Sequence, residues 1–214
     1  MIKLGQEKSR VNSGDYYDEA ARNPAIEIGT GIWVNGKVNW NFDNRETILY
    51  EEELTMRVTE EKPHSKITMI TYHIVNHSSD EKRIKLLSMN YLKTAQSDHF
   101  AFISPADNTI FHLAGEKMFM IDGLNESRNK WESTVIPSWI IHSEEIWASL
   151  KNGQLKYQPT AKGNPASLLS KTFIIPPGMT QKANSWIICG NDKNELVFLN
   201  DALLKNRLAF QKKK

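Results

Sequence analysis

The sequence predicts an all-β protein, a large antiparallel two-sheet β-sandwich with a C-terminal amphipathic helix. Three observations carry that expectation. Runs rich in β-branched and aromatic residues, about a dozen of them, recur with turn-forming clusters between. Inside those runs the side chains alternate with the period of a strand. The period changes once, near the end, where Leu196, Leu199, Leu203 and Leu208 follow helical spacing behind a capping-box-like Asp192-x-x-Glu195. So many strands exceed a minimal immunoglobulin-like domain, which favours a larger sandwich.

The densest stretch is Ile67 to Leu92. It reads as two strands folded back on each other across Asn76-His77-Ser78-Ser79-Asp80, whose side chains favour a turn by bonding nearby backbone. Ile70, Tyr72 and Ile74 share one face of the first strand, and Met69, Thr71 and His73 the other. Neither face is wholly polar, so a central strand is expected. Leu87, Met89 and Tyr91 alternate with Leu86, Ser88 and Asn90 in the second. Leu, Lys and Met there also suit a helix, but the restart after a polar turn favours a strand.

Taken in order, residues 1–23 form a polar N-terminal arm with a short helix candidate at Tyr17 to Arg22. Residues 24–190 form the sandwich, and 191–214 the helix and a basic tail packed on the same domain. Asn35-Gly36, between Trp33-Val34 and Lys37-Val38, is the strongest local hairpin signal, because a type I′ turn needs positive φ at both central residues. Thr47 to Val58 reads as one long strand, with Glu51-Glu52-Glu53 along an exposed edge. Phe100 to Ile103, Thr109 to Leu113 and Met118 to Ile121 are short strands divided by good turn chemistry. Gly123 to Glu132 reads as a loop, and Thr134 to Ile141 as an edge strand bent at Pro137. Ser143 to Leu150 suits helix or strand equally. Leu155 to Tyr157 follows the Asn152-Gly153 turn. Leu168 to Ile175 and Lys182 to Cys189 read as a hairpin broken by Pro176-Pro177-Gly178.

Composition bounds the function. The 214 residues carry 27 Lys and Arg against 25 Asp and Glu, a net charge of +2. That balance offers no strong field for nucleic acid or an anionic membrane. No apolar run approaches the roughly 20 residues that span a bilayer, and the N-terminus lacks the apolar core of a secretory signal. A cytoplasmic protein is expected. The single cysteine, Cys189, permits no intrachain disulfide and reads as a small buried hydrophobe.

Phosphate-loop, dinucleotide, zinc-protease, hydrolase-elbow and paired-cysteine signatures are all missing from the sequence. The six histidines show no spacing that demands a metal, so neither metal nor cofactor is expected. His73 and His112 fall within strands and are candidate ligand-binding residues. Six tryptophans supply flat apolar faces of the kind that stack on sugar rings, although large sandwiches also use them as core filler. Trp186 lies in an apolar strand and reads as core. Trp40 and Trp131, beside Asn, Lys and Asp, are the candidates for an exposed binding platform.

The run from Tyr72 to Leu87, and Ser170 to Thr180 followed by Trp186-Ile187-Ile188, resemble strands of the large β-sandwich (supersandwich) modules of the galactose-mutarotase-like class. The resemblance covers roughly Ile67 to Leu208. It implies a sandwich associated with carbohydrate chemistry, and it carries over no catalytic residue. The leading expectation is a non-catalytic carbohydrate-binding or accessory protein. A mutarotase-like enzyme acting on a sugar or sugar phosphate is the first alternative, and a structural protein assembling into a homo-oligomer the second. The partner expected is a saccharide or a protein.

Overall fold

The computed structural model describes residues 24–43, 45–94, 98–125 and 131–211. The arm at 1–23, its helix candidate and the terminal lysines lie outside the described residues. Fifteen strands and a helix follow in order: β1 (Ile26–Val34), β2 (Lys37–Asn41), β3 (Glu46–Leu49), β4 (Leu54–His64), β5 (Ile67–Asn76), β6 (Lys82–Leu92), β7 (Phe100–Ile103), β8 (Ile110–Ala114), β9 (Lys117–Asn125), β10 (Glu132–Pro137), β11 (Trp147–Ser149), β12 (Gln154–Leu155), β13 (Thr160–Lys162), β14 (Pro165–Ile175), β15 (Thr180–Gly190) and α1 (Lys193–Gln211). The five-stranded sheet has the order β10-β14-β6-β1-β2, and the eight-stranded sheet β13-β7-β8-β9-β15-β5-β4-β3. Every pairing within them is antiparallel. The fold is an all-β two-sheet sandwich.

The Asn35-Gly36 hairpin forms as expected, with φ of 51° and 80° at its two central residues. Two other expected hairpins do not form. β5 and β6 are both strands, but β5 sits in the eight-stranded sheet and β6 in the five-stranded one. β14 and β15 are divided between the sheets in the same way. Both connections are therefore arches that cross the sandwich. The reason lies in Asn76, which is fully buried. Its amide nitrogen donates to the Asp80, Ile175 and Pro176 carbonyls at 2.8, 2.9 and 3.2 Å, and its Oδ1 accepts from the Ser78 amide and hydroxyl at 3.0 and 2.8 Å. The turn chemistry read from the sequence thus ties one arch to the other instead of closing a ladder.

The expected strand Thr47 to Val58 is two strands. Glu51, Glu52 and Glu53 lie in the turn between β3 and β4, not on an edge, and Glu53 takes φ 52° to close it. β9 runs further than expected, to Asn125, so Gly123 and Leu124 belong to a strand. Pro137 ends β10 rather than bending it, and Ser138–Ile140 continues as a 3-10 turn. Ser143 to Leu150 resolves into a second 3-10 turn, Glu144–Ile146, followed by β11.

Alternation places the main core between the sheets. Ile70, Tyr72 and Ile74 of β5 meet Ile84 and Leu86 of β6, Leu169 and Phe173 of β14, and Ile32 and Val34 of β1. β6 is buried on both faces, because Leu87 and Met89 point outward under a cover formed by the two 3-10 turns and the β11-β12 ribbon. Trp33 anchors that cover by donating its indole N–H to the Leu150 carbonyl at 2.7 Å. Gly31 and Gly29 of β1 lie under the rings of Trp40 and Phe42, where added Cβ atoms would come within 2.7 and 2.4 Å.

α1 covers part of the outer face of the eight-stranded sheet. Leu196 and Leu203 pack on Ile67, Phe111, Met120, Trp186 and Ile188. The Trp186 indole donates to Asn200 Oδ1 at 2.9 Å. Asp192 caps the helix by accepting from the Asn194 amide at 3.3 Å. Glu195 pairs with Lys66, whose hydrogen bond holds its carboxyl below the usual range. The side chain of Leu208 lies outside those described.

Polar contacts also cross the core. Tyr72 Oη donates to Ser88 Oγ at 2.8 Å and lies 3.0 Å from Ser185 Oγ. His99 Nε2 and His112 Nδ1 are 2.9 Å apart, at hydrogen-bond distance, and His112 Nε2 is 2.8 Å from Ser167 Oγ on the facing sheet. Burial pushes His112 down to about 3, with the charge of His99 adding to the effect, and His99 down to about 4 against the opposing pull of Asp98.

Unfolding returns both imidazoles to an ordinary value near 6.5, so between about pH 6.5 and 4 the unfolded chain binds more protons than the folded one. Stability should be fully present above that window and fall as pH drops through it, by up to about 1.4 kcal/mol per pH unit for each proton. Urea unfolding at pH 7.5, 6 and 4.5 checks this, and His112→Gln should flatten the pH dependence while lowering stability at pH 7.5. Asn200→Ala should cost about 1–3 kcal/mol by orphaning the Trp186 indole N–H, read as a lower urea midpoint with an unchanged slope.

Candidate functional site

α1 lies against the β9-β15 side of the eight-stranded sheet, leaving the outer face of β3, β4 and β5 to bear a groove of about 560 Å³. Alternation decides what lines it. With Leu54, Met56 and Val58 of β4 turned inward, Thr55, Arg57 and Thr59 turn outward. The same rule on β5 sends Ile74 and Tyr72 to the core and His73 and Val75 to the groove. Thr180 of β15, Glu46 of β3 and His77 of the first arch complete the lining.

Strand pairing fixes the spacing of these groups. His73 faces Arg57 on one neighbouring strand and Lys182 on the other. Arg57 Nη2 donates to Glu46 Oε1 at 3.1 Å, and His77 Nε2 lies 2.9 Å from Thr55 Oγ1. Three threonine hydroxyls, a guanidinium, two imidazoles and a carboxylate therefore stand on one rigid surface. Such a surface donates and accepts hydrogen bonds at fixed positions, and its cations outnumber its carboxylate once Lys182 is included.

The four residues expected to bind ligand are not brought together. His73 lines the groove. His112 is fully buried between the sheets, bonded to His99 and Ser167. Trp131 is only 2% exposed and packs on Tyr72 with ring centroids 5.7 Å apart, so it is no platform. Its polar neighbours in sequence had pointed outward, but β10 turns the indole inward over Gly123, where an added Cβ would meet the ring at 3.1 Å. Trp40 is half-buried and stacks on Phe42 at 6.0 Å on the outer face of the five-stranded sheet. Trp186 is core, as expected.

The residues the sequence reading missed are Arg57, His77 and Glu46 in the groove, and Trp139, which is 73% exposed on the first 3-10 turn. Arg57 was legible in principle, since it alternates with the apolar Met56 and Val58. A second opening, between the sheets, is lined by Ile28, Phe42, Glu60 and Cys189 among others. Cys189 is half-buried there, and burial pushes its thiol up. Among the described residues no cluster of three or more His, Cys, Asp or Glu side chains is placed to hold a metal ion. Among them, too, no helix is long and apolar enough to cross a membrane.

No protein-family model and no curated protein matches the chain. Among solved structures it is similar to a polysaccharide lyase, with a TM-score of 0.42 and 10% sequence identity over 80% of this chain. That match spans 27% of the lyase, so the chain corresponds to about a quarter of that structure's length. A likeness this distant carries no argument about activity, and the fold class rests on the strands themselves: an all-β sandwich of two antiparallel sheets.

Proposed function

We propose that the chain is a non-catalytic carbohydrate-binding or accessory β-sandwich that presents its ligand surface on the uncovered face of β3, β4 and β5. The observation that carries this reading is the groove around His73, where hydroxyl, imidazole, guanidinium and carboxylate groups stand at spacings set by strand pairing. Saccharides bind through many directional hydrogen bonds to their hydroxyls, and a preorganised polar surface lowers the ordering cost of making them. The groove's polar side chains already engage each other, Glu46 in an ion pair with Arg57 and His77 in a hydrogen bond with Thr55. That suits recognition more than turnover. The surplus of Arg57 and Lys182 over Glu46 favours a saccharide carrying carboxylate, sulfate or phosphate.

One observation favours the enzymatic alternative: His73, His77 and Glu46 line the same groove, and imidazole with carboxylate is the equipment of proton transfer on a sugar ring. The two readings part on catalysis. A mutarotase-like enzyme accelerates the interconversion of α and β anomers, followed by polarimetry of freshly dissolved aldoses, whereas the binding reading expects the uncatalysed rate.

The test of binding is calorimetric titration against a panel of neutral and acidic oligosaccharides. Binding of at least one acidic member is expected, weakened about tenfold by Arg57→Ala, equivalent to about 1.4 kcal/mol, and weakened also by His73→Ala. Failure of the whole panel to bind would overturn the reading.

A further inference from the structure

A second polar pocket, of about 290 Å³, lies at the outer edge of the five-stranded sheet, against β10. Its position is built by chain segment 156–158, which is laid along that edge. The Val135 amide donates to the Gln158 carbonyl at 2.9 Å, Thr134 Oγ1 donates to the Lys156 carbonyl at 2.8 Å, and the Gln158 amide donates to Thr134 Oγ1 at 3.0 Å. These bonds pin the backbone on both sides of Tyr157, yet its side chain is 68% exposed. An exposed aromatic ring, carried on backbone tied down on both sides, lines a pocket shared with Asn108, Glu132, Ser133 and Thr134.

Glu132, its side chain 65% exposed, is tethered from beneath. Lys85 Nζ donates to its Oε2 at 2.8 Å from a side chain only 6% exposed, and Ser170 Oγ donates to the same oxygen at 3.4 Å. The buried ammonium and the serine hydroxyl beneath the carboxylate hold its Oε2 in place. Both bonds fall on Oε2, which leaves Oε1, among the described residues, for an incoming donor. A flat ring, an anchored carboxylate oxygen and neighbouring amide and hydroxyl groups complement a small ring with one apolar face and hydroxyls around its rim. The volume sits at the lower end of ligand pockets, about 300 Å³, which matches one ring unit and not a chain.

We propose that this edge pocket binds a single neutral pyranose unit, stacked on Tyr157 and donating hydroxyl hydrogen bonds to Glu132 Oε1. The ligand class is shared with the carbohydrate reading above, but none of the residues belongs to the groove around His73. Occupied together, the two sites would hold neutral and acidic parts of a saccharide on different faces of the sandwich.

The experiment is saturation-transfer NMR with methyl glucoside, methyl galactoside and methyl mannoside at roughly 10 mM, a range suited to weak single-ring binding. Transfer to the ring hydrogens of at least one pyranoside is expected. It should be lost in Tyr157→Ala, kept in Tyr157→Phe, and reduced at least fivefold in Glu132→Gln. Should Glu132→Gln fail to fold because Lys85 loses its partner, the two Tyr157 variants decide the matter, since an exposed ring can change without disturbing the core. Tyr157 lines this pocket and not the groove, so loss of transfer in Tyr157→Ala with acidic-saccharide binding intact separates the two sites. No transfer to the wild-type protein, or transfer that survives Tyr157→Ala, would overturn the proposal.

Discussion

The side chain of Asn76 holds the sandwich together where its two sheets exchange strands. Its amide nitrogen has two hydrogens and meets three carbonyls, one from its own arch and two from the arch between β14 and β15. Burying such a group is costly unless its bonding capacity is used, and here both the nitrogen and the oxygen are engaged. The Asn76 backbone amide adds a bond to the Met179 carbonyl at 3.0 Å. β5 is thereby fixed against β15, and β6 leaves the same arch in register with β14. The alignment of the inner faces, and hence which side chains the groove receives, descends from this junction.

Within the sandwich, polar bridges supplement a core that is otherwise apolar. Tyr72 with Ser88, and His112 with Ser167, each join a residue of one sheet to a residue of the other. Apolar contact alone is non-directional, whereas these bonds have geometry and specify how one sheet is set over its neighbour. The specification is incomplete: among the described residues Asn90 Oδ1, His99 Nδ1 and Trp131 Nε1 are buried without a partner.

Much of the fold was legible because it is written in local chemistry. The Asn35-Gly36 turn, the alternation in β5 and β6, and the helical spacing from Leu196 to Leu203 need only neighbours in sequence to be understood. The arches were not, because Asn, Ser and Asp favour a turn of either kind. What separates a hairpin from an arch is where the carbonyls of residues a hundred positions away come to lie. The site was less legible for a similar reason. A strand's period says which residues share a face but not which face another layer will cover, so Trp131 went inside and Trp139 outside against the polarity of their neighbours. His73 is legible as a strand histidine and Arg57 as an outward residue between Met56 and Val58, but that the two face each other follows only from the pairing of β4 with β5.

The place of β15 has a consequence for how the molecule comes into being. It lies between β9 and β5 near the middle of the eight-stranded sheet, although all fourteen other strands of the two sheets and the ribbon precede it in the chain. Until Thr180–Gly190 is available, the β3-β4-β5 and β7-β8-β9 meanders have no ladder joining them. Closure over such long separations is slow, because the chain loses its freedom before the contacts reward it. The interim species exposes two strand edges, which is the circumstance in which chains associate wrongly. A chain in which this one late strand has yet to insert would leave a berth that another molecule could occupy.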